Sequence, residues 1–237
     1  MRAGGCDTRQ MRWLAFPLFL LTAASTPTER SFIVGSFDRL RVDGPFDVTV
    51  ITGSPNASAA GEQRALDQIS IRADGSTLFV SRGALGAGQQ VIPAKVTISV
   101  PALHAVLLNG AGRVRIAEMR GARVDVTLNG AGTVEVGAVE ADEANVSLTG
   151  TGLLTLGGKA GRARLRAYGA GSIDAGGFTA NEAVLASQSS GEMRVGVRYT
   201  AQISAMGAGG VAVIGAPECR VSGPGPVDCG AGKLVRR

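Results

Sequence analysis

The chain has 237 residues, 45% of them apolar but only 4% aromatic, with 35 glycines and a formal net charge of +5. That length suffices for one large or two small domains. The charge is too mild and too dispersed for a nucleic-acid surface, which needs a basic stripe, and one histidine with three cysteines is too few for a zinc centre, which needs several such ligands at close spacing.

Arg12 precedes the apolar run Trp13–Leu21, and the small residues Thr22-Ala23-Ala24-Ser25 follow. A charge, an apolar core and a small-residue exit make residues 1–25 a secretory signal peptide, with a core too short for a permanent membrane helix. Met11 is an alternative start, and Cys6 lies before the apolar core, so it is no lipoprotein anchor. Without these residues three arginines and one aspartate are gone, and the net charge is +3. Phe32-Ile33-Val34 and Phe37 are read as a lead-in strand. Leu40, Val42, Gly44, Phe46, Val48 and Val50 share one parity across a glycine break, a degenerate first coil with Phe46 where later copies hold glycine. Thr52 to Gln68 reads as loop with a helical turn at Glu62 to Leu66. Ile69-Ser70-Ile71 and Leu78-Phe79-Val80 flank Asp74-Gly75, a hairpin signal. Gly83 to Gln90 is a loop, and Val96 to Val100 a strand leading into the repeats.

The rest of the chain is periodic. Leu108-Asn109-Gly110-Ala111-Gly112 returns as Leu128-Asn129-Gly130-Ala131-Gly132 and as Leu148-Thr149-Gly150-Thr151-Gly152, with looser copies behind it. The closing glycines stand at 112, 132, 152, 171, 191, 209 and 225. A fixed period near 20 residues is the mark of a stacked repeat. Within a copy the apolar parity runs through the glycines, as in Val124, Val126, Leu128, Gly130, Gly132, Val134 and Val136. Period two on both sides of the corner means two short strands per repeat. The fourth step is 19 residues, an odd number, and the parity flips with it to Leu165, Ala167, Gly169, Gly171 and Ile173. The expected fold is all-β, a single right-handed parallel β-solenoid of about 20-residue coils with Gly-X-Gly corners. Each coil runs strand, corner, strand, turn. Inward glycines let coils approach closely, and Val126 should lie between Val106 and Val146. A meander of hairpins is the rival fold, but sandwiches do not repeat Leu-Asn-Gly-Ala-Gly. The solenoid is expected over 32–230, with irregular first coils at 32–100, regular repeats at 101–230 and a frayed basic tail at 231–237.

Cys219, Val221, Gly223, Gly225, Val227 and Cys229 share the inward parity. In an exported chain such a pair should be oxidised. A Cys219–Cys229 bridge closes an 11-residue loop, worth roughly 2–3 kcal/mol by chain entropy, and pins the last coil. A redox pair would need Cys-X-X-Cys spacing.

Leu40-Arg41-Val42-Asp43-Gly44-Pro45-Phe46-Asp47-Val48, the strand Val96 to Val100 running into Pro101, and the serial Gly-X-Gly units resemble the head GIN domain family of putative autotransporter adhesins, over about residues 35–225. The resemblance implies a parallel β-solenoid in an exported bacterial protein of no established activity, with no catalytic residues to carry over.

Catalytic patterns are few. His104 follows Pro101-Ala102-Leu103 in a turn with no Gly-X-Ser-X-Gly elbow, so a surface turn histidine is expected and no Ser-His-Asp triad. Gly157-Gly158-Lys159 reads as a turn, not a phosphate loop. Gly169-Ala170-Gly171-Ser172-Ile173-Asp174 carries its aspartate at the wrong offset for a calcium repeat. Asp125 and Glu135 fall on outward positions of different strands, unlike the grouped carboxylates a polysaccharide-cleaving enzyme needs. One constellation remains: Asn109, Asn129, Thr149, Tyr168 and Gln188 occupy equivalent outward positions, one per coil. They form either a stacking ladder or a row of donors and acceptors for a ligand. No cofactor or metal is expected, and candidate partners are glycans or cell-envelope proteins. The expected function is a non-enzymatic, adhesive or binding protein of the periplasm or cell surface; the alternatives are an enzyme acting on envelope polysaccharide and a periplasmic scaffold.

Overall fold

The computed structural model describes residues 28–83 and 94–236. The expected signal peptide, Cys6 and residues 84–90 of the expected loop lie outside the described residues. In chain order come β1 (Thr28–Phe32), β2 (Arg39–Asp43), β3 (Asp47–Thr52), β4 (Asn56–Gly61), the short helix α1 (Gln63–Asp67), β5 (Ile69–Asp74), β6 (Thr77–Arg82), β7 (Lys95–Val100) and β8 (Ala105–Asn109). Five long strands follow: β9 (Arg113–Gly130), β10 (Thr133–Gly150), β11 (Leu153–Gly169), β12 (Ser172–Ser189) and β13 (Met193–Ala205). The chain ends in β14 (Val211–Ile214), β15 (Glu218–Ser222), β16 (Val227–Asp228) and β17 (Lys233–Arg236). The strands form one hydrogen-bonded sheet, wound as a parallel β-solenoid of about six turns. The hairpin meander is not what forms: every pairing from β8 onward is parallel.

The register follows the repeat. Val126 faces Val106 on one side and Val146 on the other. The same inward column continues through Leu165, Leu185 and Ile203 to Val221. Each of these side chains is at most 3% exposed, so each coil's apolar edge is covered only by its neighbours, the condition that makes a repeat array cooperative.

The two glycines of a corner do different work. The first has positive φ, +114° at Gly110, +125° at Gly130 and +121° at Gly150, a region that side-chain-bearing residues avoid. The second is buried against the coil below: a Cβ on Gly132 would lie 2.6 Å from the Gly112 carbonyl oxygen. Ser189 stands in register with Gly169. Its buried hydroxyl donates to the Gly171 carbonyl at 2.8 Å and accepts from Gly191 N–H at 3.0 Å, replacing glycine by a hydrogen-bonded corner.

The far end of each coil differs from expectation. No open turn separates the two strands there; β9 to β12 run through it. Inward parity passes from Val114 and Ile116 to Met119 and then returns at Val124. A short third side therefore joins the two long ones, carrying Met119, Val139, Gly158 and Phe178 in register. Gly157-Gly158-Lys159 is part of β11 at this bend, not a free turn.

The front is less regular. The lead-in strand is β1, ending at Phe32, and Ile33 is fully exposed. It pairs antiparallel with β4, which lies antiparallel on β7 where a loop was expected. Helix α1 falls where the helical turn was read, and β5 and β6 form the expected hairpin. Phe46 is 2% exposed, and a Cβ on Gly112 would meet its backbone.

Cys219 and Cys229 are joined by a disulfide, with Cα atoms 6.3 Å apart, and both are buried. Lys233–Arg236, within the expected basic tail, is strand β17 on β15. The bridge thus sits beneath the last strand. Replacing Cys229 by Ser is expected to remove roughly 2–3 kcal/mol, visible as faster amide exchange in β15 and β17 with β9 and β10 unchanged.

Candidate functional site

The outward positions beside the Gly-X-Gly corner align from coil to coil. Asn109 lies beside Asn129, Asn129 beside Thr149, Thr149 beside Tyr168 and Tyr168 beside Gln188. The row also has an earlier member: Asp43 is in register with Asn109. That residue precedes Gly44 as Asn109 precedes Gly110, which is the sequence signal for its place in the row.

The row changes character along its length. Asn109 Nδ2 donates to Asp43 Oδ1 at 2.5 Å, and Asn129 Nδ2 to Asn109 Oδ1 at 3.0 Å. This half is a ladder, its polar groups spent on one another. Beyond it Thr149, Tyr168 and Gln188 are exposed, and among the described residues their side chains make no hydrogen bond. A hollow of about 370 Å³ lies on the same side of the solenoid, with Val184, Ala186, Gln202, Ser204 and Arg220 in its lining. Ala186 and Ser204 are in register and small, which makes the depression. Val184 is 44% exposed and Tyr168 38%. Apolar contact, hydroxyl and amide groups and a cation therefore converge on the C-terminal half of one side.

Other expected positions are occupied structurally. His104 Nδ1 lies 3.3 Å from Asp38 Oδ2, and its backbone N–H donates to the Asp38 carbonyl at 2.8 Å. Burial opposes ionisation of Asp38, but hydrogen bonds from His104 and Ser76 and the charges of His104 and Arg39 outweigh it, so the carboxyl is held below its ordinary value. The carboxylate stands between imidazole and hydroxyl, whereas a triad needs the imidazole on the hydroxyl. Asp125 accepts from Arg123 and Asn145, each at 3.1 Å, while Glu135 lies 3.9 Å from Arg115 on the other long side. Asp174 Oδ1 accepts from Gly176 N–H at 3.1 Å, a local turn. Among the described residues no group of three or more His, Cys, Asp or Glu could hold a metal ion, and no helix is long and apolar enough to cross a membrane.

The family described as "Putative auto-transporter adhesin, head GIN domain" matches residues 36–217 through its sequence model. The chain belongs to this family. Solved structures similar to this head GIN domain include a putative adhesin from Bacteroides fragilis, 21% identical over 90% of this chain and 96% of that one, with a TM-score of 0.70. A putative lipid binding protein from Parabacteroides distasonis is 16% identical over 90% of this chain and 98% of that one, TM-score 0.64. A putative adhesin from the same species is 17% identical over 89% and 97%, TM-score 0.60. At these identities the likeness is one of fold. Comparison with curated proteins finds no match. A disulfide and membership of an adhesin family both point to an exported protein.

Proposed function

We propose that this head GIN domain is a non-enzymatic adhesive protein of the bacterial envelope, exported through residues 1–25 to the periplasm or cell surface, and that it binds through the long side bearing Thr149, Tyr168 and Gln188. The observation that carries the reading is the break in the row: Asp43, Asn109 and Asn129 satisfy one another, while the next three positions in register present exposed, unpaired polar groups. Exposed groups fixed by a sheet and left unpaired lose little conformational freedom on binding, which favours affinity. A surface glycan or an envelope protein meets this chemistry.

The test is saturable binding of the purified chain to whole bacterial cells. Tyr168→Ala with Gln188→Ala is expected to weaken binding about tenfold, the equivalent of roughly 1.4 kcal/mol. Asn129→Ala, acting within the ladder, should lower thermal stability by about 1 kcal/mol and leave the affinity unchanged. Unchanged affinity in the double variant contradicts the assignment of this side.

A further inference from the structure

We propose a second binding site, on the short third side, for an oligosaccharide laid along the solenoid axis. Gly121, Ala141, Ala160 and Ala180 follow one another in register, one per coil. The small size of Gly121, Ala141 and Ala160 opens a trough of about 650 Å³, while Ala180 is fully buried. Arg120, Glu140, Lys159 and Thr179 form one wall, again in register. Asp142, Asn181 and Arg198 line the other side of the trough.

The wall chemistry selects among ligands. Arg120 lies 3.6 Å from Glu140, and Lys159 is 3.0 Å from the same carboxylate. The Lys159 hydrogen bond, then the charges of Lys159 and Arg120, hold the Glu140 carboxyl below its ordinary value. Exposed pairs of this kind contribute little stability, so a ligand can exchange with them. Asp142, Thr179, Asn181 and Arg198 have no side-chain hydrogen bond or ion pair among the described residues. The trough's three cations are interleaved with two carboxylates, and Arg120 and Lys159 are already paired with Glu140, so it offers no continuous basic stripe for a phosphate chain. A peptide strand would need an open sheet edge, and the backbone here is mid-sheet, hydrogen-bonded on both sides. Sugar hydroxyls both donate and accept, and acceptors and donors alternate along the wall. Adjacent coils lie about 4.7–4.9 Å apart, close to the length of one 1,4-linked pyranose, so four coils take four sugars. The flat floor suits a β-1,4-linked chain, and the mixed charge suits a neutral one.

The experiment titrates the full chain, by calorimetry, with hexamers and dimers of β-1,4-linked glucose and β-1,4-linked N-acetylglucosamine, and with a β-1,4-linked uronate hexamer. At least one neutral hexamer is expected to bind, more tightly than its dimer. Asp142→Ala and Asn181→Trp, both at exposed positions, should each weaken it about tenfold while the unfolding temperature holds; Asp142→Asn should recover part of the loss. Preference for the uronate hexamer overturns the assignment of a neutral chain. Binding that is lost in Tyr168→Ala and kept in Asp142→Ala places the sugar on the long side and overturns the trough. No binding of any hexamer overturns it as well, while adhesion to whole cells remains a separate test of the long side.

Discussion

Phe178→Ala is expected to be among the most damaging single changes in the chain, costing about 4–5 kcal/mol, the upper end for a buried aromatic. Phe178 is fully buried and in register with Gly158, so the neighbouring coil offers no side chain to fill the space. Gly158 cannot be enlarged in compensation: its φ is +105°, and an added Cβ would clash with the Val139 backbone. The ring and the missing side chain are thus a matched pair on the third side. Phe178→Leu keeps most of the volume and should cost only about 1–2 kcal/mol. Urea unfolding of the three proteins checks the order, and equal losses for Ala and Leu would contradict it.

Gly130→Ala is expected to cost about 3–4 kcal/mol, because two penalties of roughly 1–3 kcal/mol each combine. The backbone there has φ of +125°, and the new Cβ would lie 2.5 Å from the Gly110 carbonyl oxygen. Gly75→Ala is the control. Gly75 also has positive φ, +56°, but nothing lies within 4 Å of its Cβ position, so only the left-handed conformation is penalised, at about 1–2 kcal/mol. For a domain of this size the Gly130 variant should melt about 10 °C below wild type, and the Gly75 variant about 4 °C below. Similar losses in both would mean that close coil approach is not what the corner glycines provide.

The stacked half of this fold is legible because one signal is repeated. Val106, Val126 and Val146 share a parity and a spacing, and a parallel register is what unites them. The disulfide is legible for the same reason, since Cys219 and Cys229 continue that parity. The third side is not: a single inward residue per coil, Met119 or Val139 or Phe178, is too short a run for an alternation to show. Strand β4 is hidden for another reason. Asn56–Gly61 has no β-branched or aromatic residue, and its pairing with β7 and the burial of Ala57 and Ala59 are tertiary effects that override weak local preference.

The candidate site was legible in its register and not in its division. Asn109, Asn129, Thr149, Tyr168 and Gln188 are equivalent by position, but only side-chain geometry separates the closed ladder from the open groups. The trough is not legible although Arg120, Glu140 and Lys159 recur with the repeat, because a charged residue at each coil reads equally as a solvated face.

Binding without chemistry is tested most directly by prolonged incubation of the purified chain with whole cells and isolated envelope polysaccharides, with bound protein and released sugar measured on the same samples. Saturable binding with no new reducing ends or unsaturated products is predicted. Release of cleaved oligosaccharide that scales with protein concentration would contradict the adhesive reading and make the chain an enzyme.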